Sequence, residues 1–154
     1  MKFLRLTFLM ALIGGLSLIT SCNKGSDPEP TIQETNLKLM SKTWTIKEVK
    51  YNSNDRTTEY TGMKLTIAGT FNATTNSYDY TVTNKPAAPT KSPWPNSGKW
   101  SFSTAQPATL ITRTPDNLSM TYGVTTTELQ LSFTYAGAGF RTSAVEGNWI
   151  FIFN

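Results

Sequence analysis

The chain has 154 residues, a formal net charge of +4, a single cysteine and no histidine. One thiol excludes an intramolecular disulfide, and the missing imidazole excludes Ser-His-Asp and Cys-His catalysis together with the usual zinc sites. No run of Lys and Arg forms a basic patch, so nucleic acid is not an expected partner.

Lys2 and Arg5 open the chain and are followed by an uncharged, apolar stretch from Leu6 to Ile19. A basic start stays at the inner face of a membrane while the apolar stretch enters the bilayer or the export channel, which is the order of parts in a signal peptide. The stretch falls short of the about 20 residues that a helix needs to cross roughly 30 Å of hydrocarbon. It ends in Leu18-Ile19-Thr20-Ser21-Cys22, which resembles the bacterial lipobox. That resemblance implies a diacylglyceryl thioether on Cys22 and cleavage before it, with the small side chains of Thr20 and Ser21 leaving room for the peptidase. Lys2 and Arg5 depart with the leader, so half of the formal +4 goes with them. Two or three acyl chains, at about 0.8 kcal/mol per buried CH₂, hold a protein to a membrane where one would not. Asn23-Lys24-Gly25-Ser26-Asp27-Pro28-Glu29-Pro30 has nothing to bury and reads as a tether. Asn23 is not the aspartate that retains Gram-negative lipoproteins at the inner membrane, so the resemblance implies a cell-envelope protein anchored in the outer membrane. The expected organisation is a signal peptide at 1–21, a lipidated tether at 22–32 and one domain at 33–154.

The mature chain is rich in threonine and aromatic residues, with strand-like runs separated by Gly, Pro, Asn and Asp, which predicts an all-β domain. One short amphipathic helix is expected over 33–42, where Leu37 and Met40 share a side. Period-two patterning then predicts eight strands: Thr43 to Tyr51, Met63 to Phe71, Ser77 to Thr83, Lys99 to Ser103, Thr109 to Thr114, Leu118 to Val124, Glu128 to Tyr135 and Asn148 to Phe153. Inward sets such as Tyr78, Tyr80 and Val82, or Leu129, Leu131 and Phe133, alternate with Thr, Ser, Asp or Gln. The first strand breaks phase between Ile46 and Val49, so a bulge near Lys47 and Glu48 is expected. The last strand is apolar on both parities, from Trp149 to Phe153, and is expected to have its outer face covered by the helix. Pairing of the first and last strands would close an antiparallel up-and-down barrel and abolish open edges. The competing fold is an immunoglobulin-like β-sandwich.

Leu39-Met40-Ser41-Lys42-Thr43-Trp44-Thr45-Ile46-Lys47-Glu48-Val49 resembles the opening of the lipocalin-like domains found on bacterial lipoproteins, especially those of Bacteroidetes. The resemblance spans roughly residues 37 to 154. It implies that a helical turn leads into the first strand and that Trp44 closes the barrel floor. Lys42 stands where the lipocalin pattern has glycine, and Arg141 is the nearest candidate for a cation stacked on Trp44. Trp44 and Trp149 are expected to be buried close to one another.

Chemistry-bearing motifs are few. Ala136-Gly137-Ala138-Gly139-Phe140-Arg141-Thr142 lacks the third glycine of a dinucleotide fingerprint and the Gly-Lys-Ser/Thr of a phosphate loop, so it reads as a turn. Asp55, Glu59, Asp79, Asp116, Glu128 and Glu146 could in principle include a glycosidase-like carboxylate pair, but their turn and outer-face positions predict solvated groups. No catalytic residue, metal site or cofactor is assigned, and the protein is not expected to be an enzyme. Two surfaces attract attention. One is the stretch from Asn84 to Gly98, where Pro86, Pro89, Pro93 and Pro95 stiffen the chain around Trp94, which is expected to project and stay partly exposed. The other is the Ala136 to Gly147 connection with Phe140 and Arg141. The leading expectation is a lipid-anchored binding module whose barrel holds a small apolar or amphipathic ligand against Trp94, Tyr78, Tyr80, Trp100 and Tyr122. The alternative is a surface interaction domain that binds protein or glycan through its loops and has no cavity. Cys22→Ala is expected to abolish incorporation of radiolabelled fatty acid, since no other residue can carry the thioether; label retained on the alanine variant would overturn the lipobox assignment.

Overall fold

The computed structural model describes residues 28–86, 92–114, 116–137 and 145–154. Residues 1–27, which hold the expected signal peptide, Cys22 and the first part of the expected tether, lie outside the described residues. Helix α1 runs from Ile32 to Met40 and starts where Thr31 caps it, its hydroxyl accepting from the Glu34 N–H at 3.2 Å. The Thr31-x-x-Glu34 spacing is that of a capping box, which satisfies an otherwise orphaned helical donor. Leu37 and Met40 are its buried residues, as their spacing predicts.

Among the described residues nine strands follow: β1 (Thr43–Tyr51), β2 (Asn54–Asp55), β3 (Lys64–Ala68), β4 (Tyr78–Thr83), β5 (Ser97–Phe102), β6 (Leu110–Thr114), β7 (Leu118–Val124), β8 (Leu129–Tyr135) and β9 (Gly147–Phe153). Each of the longer strands from β3 to β9 pairs antiparallel with the next, and β9 pairs back onto β1. Eight strands therefore close an up-and-down barrel, and the sandwich alternative is set aside. The two-residue β2 is a short return on the end of β1.

Closure depends on a bulge in β1. Ile46 lies opposite Phe153 and Glu48 opposite Ile152, so Lys47 is the extra residue. The extra residue brings Val49 onto the same inner side as Trp44 despite their mixed parity. It also splits the strand's duties, because Thr43–Thr45 pair with β3 while Ile46–Tyr51 pair with β9.

Two expectations need correction. Trp44 and Trp149 are both buried, but they occupy opposite ends of the barrel. The last strand runs antiparallel to the first, so Phe153 meets Ile46 while Trp149 meets Tyr51, leaving roughly 20 Å of strand between the tryptophans. Nor does α1 cover the outer face of β9. Its apolar side enters the barrel end instead, and Asn36 Nδ2 donates to the Tyr122 hydroxyl of β7 at 2.7 Å. Ile150 and Ile152 remain partly exposed on the outside, flanked by Lys50 and Glu48 of β1 and by Ser132 and Gln130 of β8.

The two tryptophans close their ends by the same device. Trp44 Nε1 donates to the Met40 carbonyl at 2.9 Å, and Trp149 Nε1 donates to the Val145 carbonyl at 2.8 Å. Each indole thus fastens the segment four residues before it across one mouth of the barrel. Between them β9 lays Trp149, Phe151 and Phe153 in a stack, with centroids 5.5 and 6.3 Å apart, and Phe133 of β8 joins at 5.9 Å. Contacts of this kind add about 0.5–1.5 kcal/mol each beyond area burial. Trp44→Ala and Trp149→Ala are each expected to cost about 3–5 kcal/mol in urea denaturation. The Phe variants should lose less, retaining the ring contacts but not the indole donor; equal losses for Phe and Ala would show that the N–H bond, and not the ring, holds each end.

Candidate functional site

The best defined cluster of polar and aromatic side chains lies inside the barrel at the end where β6 and β8 finish. The strand ladders position it. Tyr78 of β4 is paired with Trp100 of β5, and Trp100 with Arg113 of β6, so the three side chains stand in a row on the inner face. Tyr80, two residues along β4, lies over Gly98, where a methyl group would meet its hydroxyl at 2.7 Å. Glycine at 98 is required by that close approach.

Trp94 closes this row from above, and its placement corrects the expectation that it projects into solvent. The ring is 1 % exposed. Its N–H backbone donates to the Ser92 hydroxyl at 3.2 Å, and both residues are buried. The indole meets Tyr80, Phe133 and Phe151 edge-on at 5.7 to 5.9 Å. Prolines stiffen a loop but do not choose its direction, and here Pro93 and Pro95 lay the tryptophan into the barrel mouth. Pro89 and the neighbouring 87–91 lie outside the described residues.

Arg113, unassigned at the level of sequence, is the centre of the cluster. It is fully buried, and its guanidinium lies 5.1 Å from the centroid of the Trp94 ring and 5.9 Å from that of Phe133. Asp116 answers its charge by a forked pair, accepting from Nε at 3.1 Å and from Nη2. The tight turn into β7, with Asn117 at φ 52°, brings the carboxylate back over the strand it has just left. The signal was present in the sequence, since Arg113 shares the parity of buried Ile111.

The predicted ligand-binding residues therefore divide. Trp94, Tyr78, Tyr80 and Trp100 come together here, but Tyr122 belongs to the other end, where its hydroxyl donates to the Pro107 carbonyl at 2.5 Å and accepts from Asn36. At that end Lys42, the residue in the glycine position of the lipocalin pattern, places its Nζ 3.8 Å from the centroid of the Trp44 ring. The cation on Trp44 is thus Lys42. Arg141 and Phe140 lie outside the described residues.

Space is distributed unevenly. Inside, the void bounded by Leu65, Ile67, Tyr80, Trp94, Trp100, Ile111, Met120 and Leu131 amounts to about 10 Å³, room for about one water. Outside, a groove of about 820 Å³ runs over β6 to β9. Its lining includes the hydroxyl and amide groups of Ser119, Thr121, Ser132, Thr134 and Asn148, with Leu110 and Ile150 between them. Among the described lining residues Asp116, already committed to Arg113, is the one that carries a charge.

Of the six carboxylates considered for catalysis, Asp55, Glu59, Asp79, Asp116 and Glu128 have separate local partners. Asp79 pairs with Lys99 at 2.7 Å, Glu128 with Lys47 at 2.7 Å, and Glu59 with Arg56. Asp55 accepts from the Thr57 N–H at 2.8 Å, and these hydrogen bonds to Thr57 hold its carboxyl below the usual range. Among the described residues no three His, Cys, Asp or Glu side chains group as metal ligands. No protein-family model matches the sequence, and no curated protein or solved structure is significantly similar to it.

Burial pushes the phenols of Tyr60 and Tyr80 from 10.0 up to about 12. A raised phenol favours the folded state below the unfolded value and loses that contribution as pH rises through the folded one. Stability measured by urea denaturation is thus expected to fall from pH 10 to about 12, and Tyr80→Phe should flatten the decline; an unchanged slope would place the Tyr80 hydroxyl in water. Trp94→Ala is expected to cost about 3–5 kcal/mol. A loss within about 0.5 kcal/mol would show that the ring is not core.

Proposed function

We propose that this chain is a lipid-anchored, non-enzymatic lipoprotein of the cell envelope, in which a lipocalin-like barrel serves as a filled scaffold and recognition takes place on its outer surface. The observation that carries this reading is the distribution of space, about 10 Å³ within against about 820 Å³ on the outer face of β6 to β9. Small-molecule pockets commonly need about 300–1,000 Å³. The interior void is far below that range, while the external groove lies within it.

The groove's chemistry favours a neutral, hydroxyl-bearing partner. Serine, threonine and asparagine side chains exchange hydrogen bonds with such a partner without stripping water from a charge, which is the costly step in burying polar groups. A glycan strand meets those terms, and Leu110 and Ile150 offer apolar contact to the faces of sugar rings. On this reading the partner is met by the sheet face and not by the loops considered from the sequence. A lipidated tether beginning at Cys22 would hold that face near the membrane of an envelope rich in such polymers.

The reading in which a small apolar or amphipathic ligand enters the barrel keeps one supporting observation. Trp94 is delivered by a loop, so its departure would open the interior without breaking a ladder bond.

Thr121 and Ser132 face one another across β7 and β8 within the groove. The double variant Thr121→Lys, Ser132→Lys should fold with stability within about 0.5 kcal/mol per site of the parent. In affinity electrophoresis through a neutral polysaccharide the parent should be retarded and the variant should lose at least tenfold in apparent affinity. Equal retardation of both proteins relative to a gel without polysaccharide, with an uncharged fluorescent probe quenching Trp94, would transfer the function to the interior.

A further inference from the structure

The two mouths of the barrel differ in charge. At the Trp44 mouth α1 is fastened to three connections. Ser41 Oγ at its C-cap donates to the Gly69 carbonyl at 3.5 Å, Asn36 is linked to the Pro107 carbonyl through the Tyr122 hydroxyl, and Lys42 Nζ donates to the Thr126 carbonyl at 2.7 Å. Those connections, residues 69–77, 103–109 and 125–128, carry one charged side chain, Glu128, and it is paired with Lys47. Threonine, serine and amide side chains make up most of the rest. The connections at the opposite mouth hold Asp55, Arg56, Glu59, Lys85, Asp116 and Glu146.

Apolar surface is exposed at the uncharged end. Among the described residues Ile32 is the one large hydrophobic side chain that stands exposed, at 49 %. With 3.6 residues per turn it shares a side of α1 with half-buried Leu39, two turns on, while Glu34 and Lys38 project elsewhere. Beside the helix lies a cleft of about 400 Å³ whose lining includes Leu37 and Phe71.

The position of Cys22 decides what covers this end. Six residues separate it from Pro28, where the described chain begins, and at 3.3–3.6 Å per residue they span at most about 20 Å. The opposite mouth lies farther from Pro28 by the length of a strand, itself roughly 20 Å. An anchored chain therefore brings the Trp44 mouth to a membrane with a slack tether and the opposite mouth only with a taut one. Hydroxyl and amide groups lose less on leaving water than charges do. A tether also makes the contact intramolecular, so one too weak for a free domain is populated on an anchored one.

From this arrangement we infer that the Trp44 mouth is a docking surface for the bilayer itself. Ile32 enters the boundary between headgroups and acyl chains, and the connections 69–77 and 103–109 rest on the headgroups. A surface of apolar and hydroxyl groups, with Glu34 and Lys38 of opposite sign, fits zwitterionic phospholipid. The barrel then stands with Trp94 and the groove residues 116–119 and 135–137 at its far end, a strand length above the membrane and open to a partner. The inference rests on the lipid-anchored reading for where the chain is held, and not on what the groove binds.

The test uses the full chain on phosphatidylcholine vesicles. All four tryptophans are buried, so an added indole reports its own surroundings. Ile32→Trp should be quenched by brominated acyl chains, and its iodide quenching constant should be at least threefold below that of Thr58→Trp, placed at the opposite mouth, which brominated lipid should leave unquenched. Amide hydrogen exchange across 70–76 and 104–108 should be at least threefold slower in the parent than in Ile32→Asp on the same vesicles, with 56–61 equal in both and flotation kept. A parent that does not float with vesicles would count against the lipid-anchored reading alone, because coupling the Cys22 thiol to a maleimide-bearing lipid supplies the tether and the same measurements then decide the docking. Equal iodide access at the two positions, or equal exchange in parent and Ile32→Asp, would overturn the inference.

Discussion

Closure of β1 onto β9 joins strands separated by roughly 100 residues, and the entropy of bringing such distant segments together must be recovered from the contacts they make. With a single cysteine in the chain no intramolecular disulfide can shorten that loop. The contacts that hold it are hydrogen bonds from Ile46 to Tyr51 and, on the inner side, the aromatic stack of β9. The bulge at Lys47 makes both available at once. Without it Val49 would point outward and β1 could not serve β3 with one half and β9 with the other. One extra residue thus converts a twisted sheet into a barrel.

Once closed, eight strands enclose only enough space for side chains or one small ligand. Here Tyr78, Trp100, Phe102, Phe133 and Phe151 occupy it, with Trp94 added from a loop. The choice of large aromatic residues has a consequence for polarity. Tyrosine and tryptophan carry a hydroxyl or N–H at the ring edge, and where they fill an interior those groups need partners. At the Trp44 and Trp149 positions the partner is a carbonyl four residues back. Around Arg113 the polar edges of Tyr78, Tyr80, Trp94 and Trp100 have no such partner among the described residues.

Much of the fold was legible because strand parity is a two-state variable. The alternation in Tyr78-Asp79-Tyr80-Thr81-Val82 allows one register only if one face is buried, and the phase break after Ile46 has few remedies besides a bulge. The site was less legible for the same reason. Parity says that Arg113 faces the interior with Ile111, yet a charged residue on an apolar parity is easily discounted. Its partner Asp116 is brought back by a turn whose geometry comes from Asn117 at positive φ. Trp94 escaped because loops have no parity. Burying an indole, at about 25 cal/mol per Å² over roughly 150–250 Å², outweighs the conformational freedom of a short proline-stiffened connection. Trp149 lies far from Trp44 although their strands pair, because antiparallel neighbours exchange their ends.

The same parity divides the labour of the surface. On β7, β8 and β9 the inner residues are Met120, Tyr122, Leu131, Phe133 and Phe151, and none can change without opening a cavity in a tightly filled interior. The outer residues Thr121, Ser132, Thr134 and Asn148 touch no core and bear no charge. Charged pairs gather elsewhere around the barrel, at Lys47 with Glu128, Lys50 with Glu48 and Lys99 with Asp79. Exposed pairs of this kind contribute about 0–1 kcal/mol, so stability does not dictate where they sit. Among the described residues that line the groove over β6 to β9, Asp116 alone is charged and it is paired with Arg113, so hydroxyl and amide groups supply the other polar side chains of that concave surface.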